Sequence, residues 1–173
     1  MKSGVGRRKS GQMQISFGMI FSIILVVAFL AFAFYAIRVF INTGEGAQAA
    51  KFIDEFQDDI NRIWNSEVSL ETNEYSLPGY ADFVCLIDFS SDAEGENSIL
   101  YSQIRGSVDY VNNNMAFWPV EHGSFESALI RHIDIETTTS SDNPLCFEAR
   151  NGKVRITLRK DMGEALVTVE RAG

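Results

Sequence analysis

From Ile15 to Ile37 the chain carries no Asp, Glu, Lys or Arg, and Phe, Ile, Leu, Val and Ala fill most positions. No polar stripe interrupts the run, so the pattern is that of a helix with apolar material on every side rather than one wet face. Coiled as an α-helix, it is roughly 34 Å long, enough to cross a hydrocarbon core of about 30 Å. This predicts a single transmembrane helix over residues 12–40. Beyond it, Asn42-Thr43-Gly44-Glu45-Gly46 predicts a break, because two glycines so close disfavour a helix. Helical spacing resumes over about Ala47 to Glu67. There Ala49, Ile53, Phe56, Ile60, Ile63 and Trp64 form one apolar stripe, with Asp54, Glu55, Asp58, Asp59 and Arg62 largely off it.

The rest reads as β-rich, over about residues 80–170. Phe83 to Phe89, apolar except for Asp88, reads as a strand buried on both faces. Ile99 to Val111 has helical spacing interrupted by Gly106, and Met115 to Trp118 predicts a short strand stopped by Pro119. Leu129 to Glu136, rich in Ile, predicts another strand. Asn151-Gly152 is a two-residue hairpin signal, since a type I′ turn needs positive φ at both positions. Folded there, Ala149 pairs with Val154, Phe147 with Ile156 and Leu145 with Leu158, while Glu148 meets Arg155 on the opposite face. Ala165 to Glu170 supplies a last strand. The expected fold is therefore α+β: an N-terminal transmembrane helix, then an outer domain at 41–173 in which an amphipathic helix packs on a mainly antiparallel β-sheet.

Charge adds orientation. Lys2, Arg7, Arg8 and Lys9 precede the span, and only Arg38 lies just past it. Segments rich in Lys and Arg stay cytoplasmic, so the N-terminus is expected inside and the C-terminal domain outside the cell membrane. That outer part holds all 23 acidic residues and ten of the 15 basic ones, a net charge of −13. Such a domain repels nucleic-acid backbones, and no nucleic-acid partner is expected. A cleaved secretory signal has an apolar run of about 7–15 residues followed by its cleavage site, and this run is longer. The lipid bilayer is the expected partner of the span.

The residues at the start of the span, Arg7-Arg8-Lys9-Ser10-Gly11-Gln12-Met13-Gln14-Ile15-Ser16-Phe17, join a basic leader to Gly-Gln and then directly to the apolar helix. Over about residues 1–37 this resembles the class III signal peptide of archaeal type IV pilins and archaellins. The resemblance implies a leader at 1–11, a cut between Gly11 and Gln12 by a prepilin-type peptidase, and association with other pilin-like subunits through the helix. The function it implies is that of a pilin-like structural subunit of the archaeal cell envelope. The family often places an acidic residue at the fifth mature position, where this chain has Ser16. A membrane-anchored extracytoplasmic binding or interaction module that does not polymerise is the alternative.

Candidate chemistry is sparse. His122 and His132 are not at metal-ligand spacing, and the chain holds no H-E-x-x-H, G-x-S-x-G, P-loop or G-x-G-x-x-G. Asp82 and Asp88 flank a strand, but chance acid pairs are common on a surface this acidic. No catalytic residue, metal site or cofactor is expected, and the chain does not read as an enzyme. Cys85 and Cys146 are the two cysteines, both beyond the span. In an oxidising compartment they either pair, closing a loop of about 60 residues, or remain separate buried thiols. The disulfide is the expectation.

Overall fold

The computed structural model describes residues 17–108, 112–120 and 127–173. The leader 1–11, the Gly11–Gln12 junction, Ser16 and His122 lie outside the described residues. The chain divides into two compact units, Met1–Phe40 and Ile41–Gly173.

In the first unit the described chain is helical from Phe17 onward. Its large side chains are exposed on every side: Phe17, Phe29, Phe32, Phe34, Tyr35 and Phe40 range from 66% to 84%. Ser22 donates its hydroxyl to the Gly18 carbonyl at 2.8 Å, so this polar group is satisfied within the helix itself.

The helix, α1, extends over Phe17–Trp64, and its backbone continues through Gly44 and Gly46 where a break was expected. Each glycine costs about 1 kcal/mol relative to alanine. That is little beside the gain from propagating an existing helix into a segment whose next turns are anchored by buried Ala49, Phe52 and Phe56. The remaining elements, all in the second unit, are β1 (Ser69–Ser76), β2 (Phe83–Leu86), α2 (Ser98–Ser107), β3 (Met115–Trp118), β4 (Ser127–Ala128), α3 (Ile135–Thr138), β5 (Leu145–Glu148), β6 (Lys153–Lys160) and β7 (Thr168–Arg171). Two sheets result, with strand orders β1-β6-β7 and β4-β3-β2-β5. Every ladder within them is antiparallel, and the architecture is α+β.

Two apolar clusters hold the unit together. In the larger, α1 contributes Ala49, Phe52, Phe56, Ile60 and Ile63, recurring every three or four residues, against both sheets. Phe52 stands at the centre of this face, while the neighbouring Ile53 is only partly buried. Strand β2 is buried on both faces, as its apolar run predicts: Val84 and Leu86 join the α1 cluster, and Cys85, with Ile87 just past the strand, the second one. That second cluster lies beneath α2, which buries Tyr101 and Ile104 there.

Three local expectations are corrected. The turn at Asn151-Gly152 forms, with φ of 55° and 71°, and Arg150 and Lys153 exchange backbone hydrogen bonds across it. The flanking strands then part, so Phe147 pairs with Val84 and Ile156 with Asn73 rather than with each other. The apolar face of each strand finds a partner in a different sheet, and a backbone hydrogen bond from Ala149 to the Asp82 carbonyl starts the divergence. The strand expected at Leu129–Glu136 is instead a clamped loop. Asn114 holds Ile130 through two hydrogen bonds and Gln57 holds Arg131 through two more, and His132 takes φ of 66°. Asp134 then caps α3 by accepting from the Thr137 N–H and hydroxyl, each at 2.9 Å. Finally, β1 begins at Ser69, ahead of the expected β-rich region.

Candidate functional site

The side chains singled out in the sequence do not converge on one centre. Gly11 and Gln12 lie outside the described residues. Cys85 on β2 and Cys146 on β5 stand directly opposite one another and are joined as a disulfide across 61 residues of chain. A loop of that length corresponds to on the order of 4 kcal/mol of stabilisation in the chain-entropy account. The bond ties the outermost strand of its sheet to the buried β2.

His132 stacks on Trp64, the rings 3.8 Å apart and 5° from parallel, and its Nδ1 lies 3.1 Å from Asn61 Oδ1. The Trp64 indole N–H donates to the Ala165 carbonyl at 2.9 Å. These contacts fasten the end of α1 to two loops. Asp82 serves through its backbone, accepting from Ala149 and donating to the Trp118 carbonyl. Asp88 is buried, and its carboxylate accepts from the Ser90 N–H at 2.8 Å and from the Ser90 and Ser91 hydroxyls at 2.6 Å each. Burial pushes its pKa up, but these hydrogen bonds outweigh it and hold the carboxyl below its ordinary range. The buried Asn143 amide completes this corner by donating to the Asp88 and Asp92 carbonyls. These contacts make the Asp88 carboxylate a clamp on the Ser90–Ser91 loop.

On the α1–β1 contact, the Tyr75 hydroxyl donates to Asp59 at 2.7 Å. Burial first, and the Asp59 carboxylate second, raise its pKa above the ordinary phenol value. Arg62 binds Glu71 and Asp59, and in that order they raise the guanidinium pKa. This network is wholly partnered and joins helix to strand. Among the described residues, no group of three or more His, Cys, Asp or Glu is arranged to hold a metal ion.

One groove, of about 580 Å³, is lined by Arg150, Lys153, Arg155 and Arg171 together with Glu74, Glu96, Glu148 and Phe147. Lys153 Nζ pairs with Glu74 at 2.6 Å, which holds the Glu74 carboxyl below its ordinary pKa. Arg171 pairs with Asp142 at 2.8 Å, and Arg150 reaches Glu148 only at 3.9 Å. Sequence reading gave no hint of this groove. Its four cations come from a turn and two strands, and only the departure of β5 from β6 opens the space between them.

The site and fold together define an α+β unit carrying an apolar helix long enough, by length and composition, to cross a membrane. Compared with family models, with curated proteins and with solved structures, the chain matches none.

Proposed function

We propose that the protein is a single-pass membrane protein in which residues 12–40 cross the bilayer, the basic N-terminus is cytoplasmic, and the α+β unit is extracytoplasmic. In this reading it serves as a pilin-like structural subunit of the cell envelope rather than as an enzyme. The observation that carries the proposal is the apolar helix, whose large side chains are exposed all round, with none of its most apolar stretch buried within the chain. A soluble core helix hides such a surface against its own domain, whereas a bilayer or neighbouring copies of the same helix satisfy it. The internal hydrogen bond of Ser22 suits a surrounding without water. Lys2, Arg7, Arg8 and Lys9 support the orientation, and Gly11-Gln12 ahead of the helix supports processing by a prepilin-type peptidase.

Ser16 favours a second reading. Without a negative charge at that position, the protein acts as a membrane-anchored extracytoplasmic binding or interaction module that does not polymerise. Protease added to intact cells distinguishes the orientation: the unit beyond Arg38 should be digested and the leader spared. A protected C-terminal unit would overturn the topology.

A further inference from the structure

We propose that α1 opens locally and reversibly between Asn42 and Gln48, and that this opening is a proteolytic release site, where a cut sets the rest of the α+β unit free. The release, though not the opening, rests on the anchored reading above. Two of the three glycines in α1 lie in the run Asn42-Thr43-Gly44-Glu45-Gly46, and from Ala47 to Trp64 the helix holds none. Asn and Thr are also weaker helix formers than Ala, Leu, Lys or Gln. Glycine is required where the backbone turns left-handed or where a neighbour leaves no room for a Cβ. Gly44 meets neither condition: it is helical, and a Cβ built on it would find nothing within 4 Å. Gly46 is helical too and is not among the glycines with positive φ. What remains is the effect of each glycine on the helix itself, which it weakens about fivefold relative to alanine.

Little packing offsets this weakness. Gly44, Ala47 and Gln48 are exposed, and Glu45 forms no ion pair among the described residues. Ala49 is the first buried side chain among the described residues, and from there Phe52, Phe56 and Ile60 fix α1 to the core. On the other side, freed N–H and C=O groups inside a bilayer would have no water to bond, which keeps the spanning turns closed. The opening is thus confined to the stretch between, where water receives the freed groups. Local openings range in cost from almost nothing to that of full unfolding, and segments with few buried contacts lie at the low end.

A protease takes its substrate extended, so a bond in a helix is cut only while the helix is open. When closing outpaces cutting, the rate follows the population of the open form. Hydrolysis between Glu45 and Gly46 consumes one water and leaves a carboxylate on Glu45 and an ammonium on Gly46. Every member of both apolar clusters, and both cysteines, lies beyond that bond. The released piece therefore keeps the contacts that hold α1 on the sheets. Glu45 is also the first acidic residue of the chain, so a glutamyl endopeptidase finds no glutamate ahead of it. Glu55 supplies a reference on the same helix, exposed itself but set between the buried Phe52 and Phe56.

The test is limited digestion of the full chain in lipid vesicles by glutamyl endopeptidase, with mass spectrometry counting new chains that begin at Gly46 or at Phe56. Those beginning at Gly46 should appear at least about a hundredfold faster. Gly44→Ala with Gly46→Ala should slow that cut about twentyfold and leave the one after Glu55 unchanged. Synthetic peptides of residues 40–50, with and without the two alanines, give the intrinsic cutting rates to which both are normalised. Hydrogen exchange reads the opening without a protease: the amides of Glu45 to Gln48 should exchange at least about a hundredfold faster than those of Phe56 to Ile60. Equal cutting after Glu45 and Glu55, a normalised rate that the alanines do not change, or equal exchange in the two segments would each overturn the opening. Sedimentation of the vesicles reads the anchor separately. Before digestion the full chain should sediment with them, and afterwards the piece beginning at Gly46 should stay in solution. A chain that never sediments yet is cut first after Glu45 keeps the opening and rejects the anchor and the release. A chain that sediments and resists that cut keeps the anchor and rejects the opening.

Discussion

Replacing Phe52 by alanine probes the packing of α1 on the two sheets at its centre. The side chain is 1% exposed, and its ring meets Phe56, Tyr75 and Phe117 at centroid distances of 5.7, 5.5 and 5.3 Å. Truncating a buried phenylalanine costs about 3–5 kcal/mol through lost transfer energy and the cavity left behind. Ring pairs contribute about 0.5–1.5 kcal/mol each, and three of them at one position place the expected cost in the upper half of that range, about 4–5 kcal/mol. Ile53→Ala is the control. That neighbour is only partly buried, and about 1–2 kcal/mol is expected, less than a fully buried truncation. Urea unfolding of the full chain in detergent, followed by fluorescence of Trp64 and Trp118, measures both. With an m-value of about 2 kcal/mol/M, Phe52→Ala should lower the midpoint by about 2 M and Ile53→Ala by less than 1 M. Equal costs, or a Phe52→Ala cost below about 2 kcal/mol, would refute the assigned helix face.

Three further outcomes follow from the same contacts. Alkylation of the denatured, unreduced protein should label neither Cys85 nor Cys146, and replacing both by serine should cost up to about 4 kcal/mol in urea unfolding; labelling of both would show free thiols. Because hydrogen bonds hold the folded Asp88 pKa low, its contribution is full above the ordinary carboxyl pKa of about 4 and is lost as pH falls through the lower folded value. Asp88→Asn should therefore cost on the order of 1–2 kcal/mol at pH 6, a gap that narrows towards pH 2; a constant gap would contradict the assignment. At His132, where φ is 66°, glycine should be tolerated better than alanine by about 1 kcal/mol, and equal unfolding midpoints would argue against the left-handed backbone.

The elements legible in the sequence were those that the apolar pattern alone determines. The uncharged run becomes a helix with no wet face, and the apolar run from Phe83 becomes a strand buried on both faces. Of the expected stripe, Ala49, Phe56, Ile60 and Ile63 become the core side of α1, while Ile53 is only partly buried, Trp64 is exposed, and Phe52, outside that stripe, takes the centre. The elements missed depend on distant partners. Strand β1 is mostly polar because it lies at a sheet edge with alternate residues in solvent, so Ser69–Ser76 offered no apolar alternation. The residues of β5 and β6 suit one another across Asn151-Gly152, yet they suit β2 and β1 as well, and local pairing rules do not choose between these. At Leu129–Glu136 the isoleucines suggested a strand, whereas side-chain clamps from Gln57 and Asn114 and the Asp134 cap shape a loop and a short helix. The groove exists only once β5 and β6 have parted, and for that reason it was invisible.

The central claim, that the protein is inserted and processed as a pilin-like subunit, is tested most directly by the mass of its mature N-terminus. Intact-mass and N-terminal peptide spectrometry of protein extracted from membranes should find the chain beginning at Gln12, with Met1 to Gly11 removed. Gly11→Phe should leave the leader attached without altering the Cys85–Cys146 disulfide of the second unit. A mature chain that still begins before Gly11, and whose size is unchanged by that substitution, would contradict the claim.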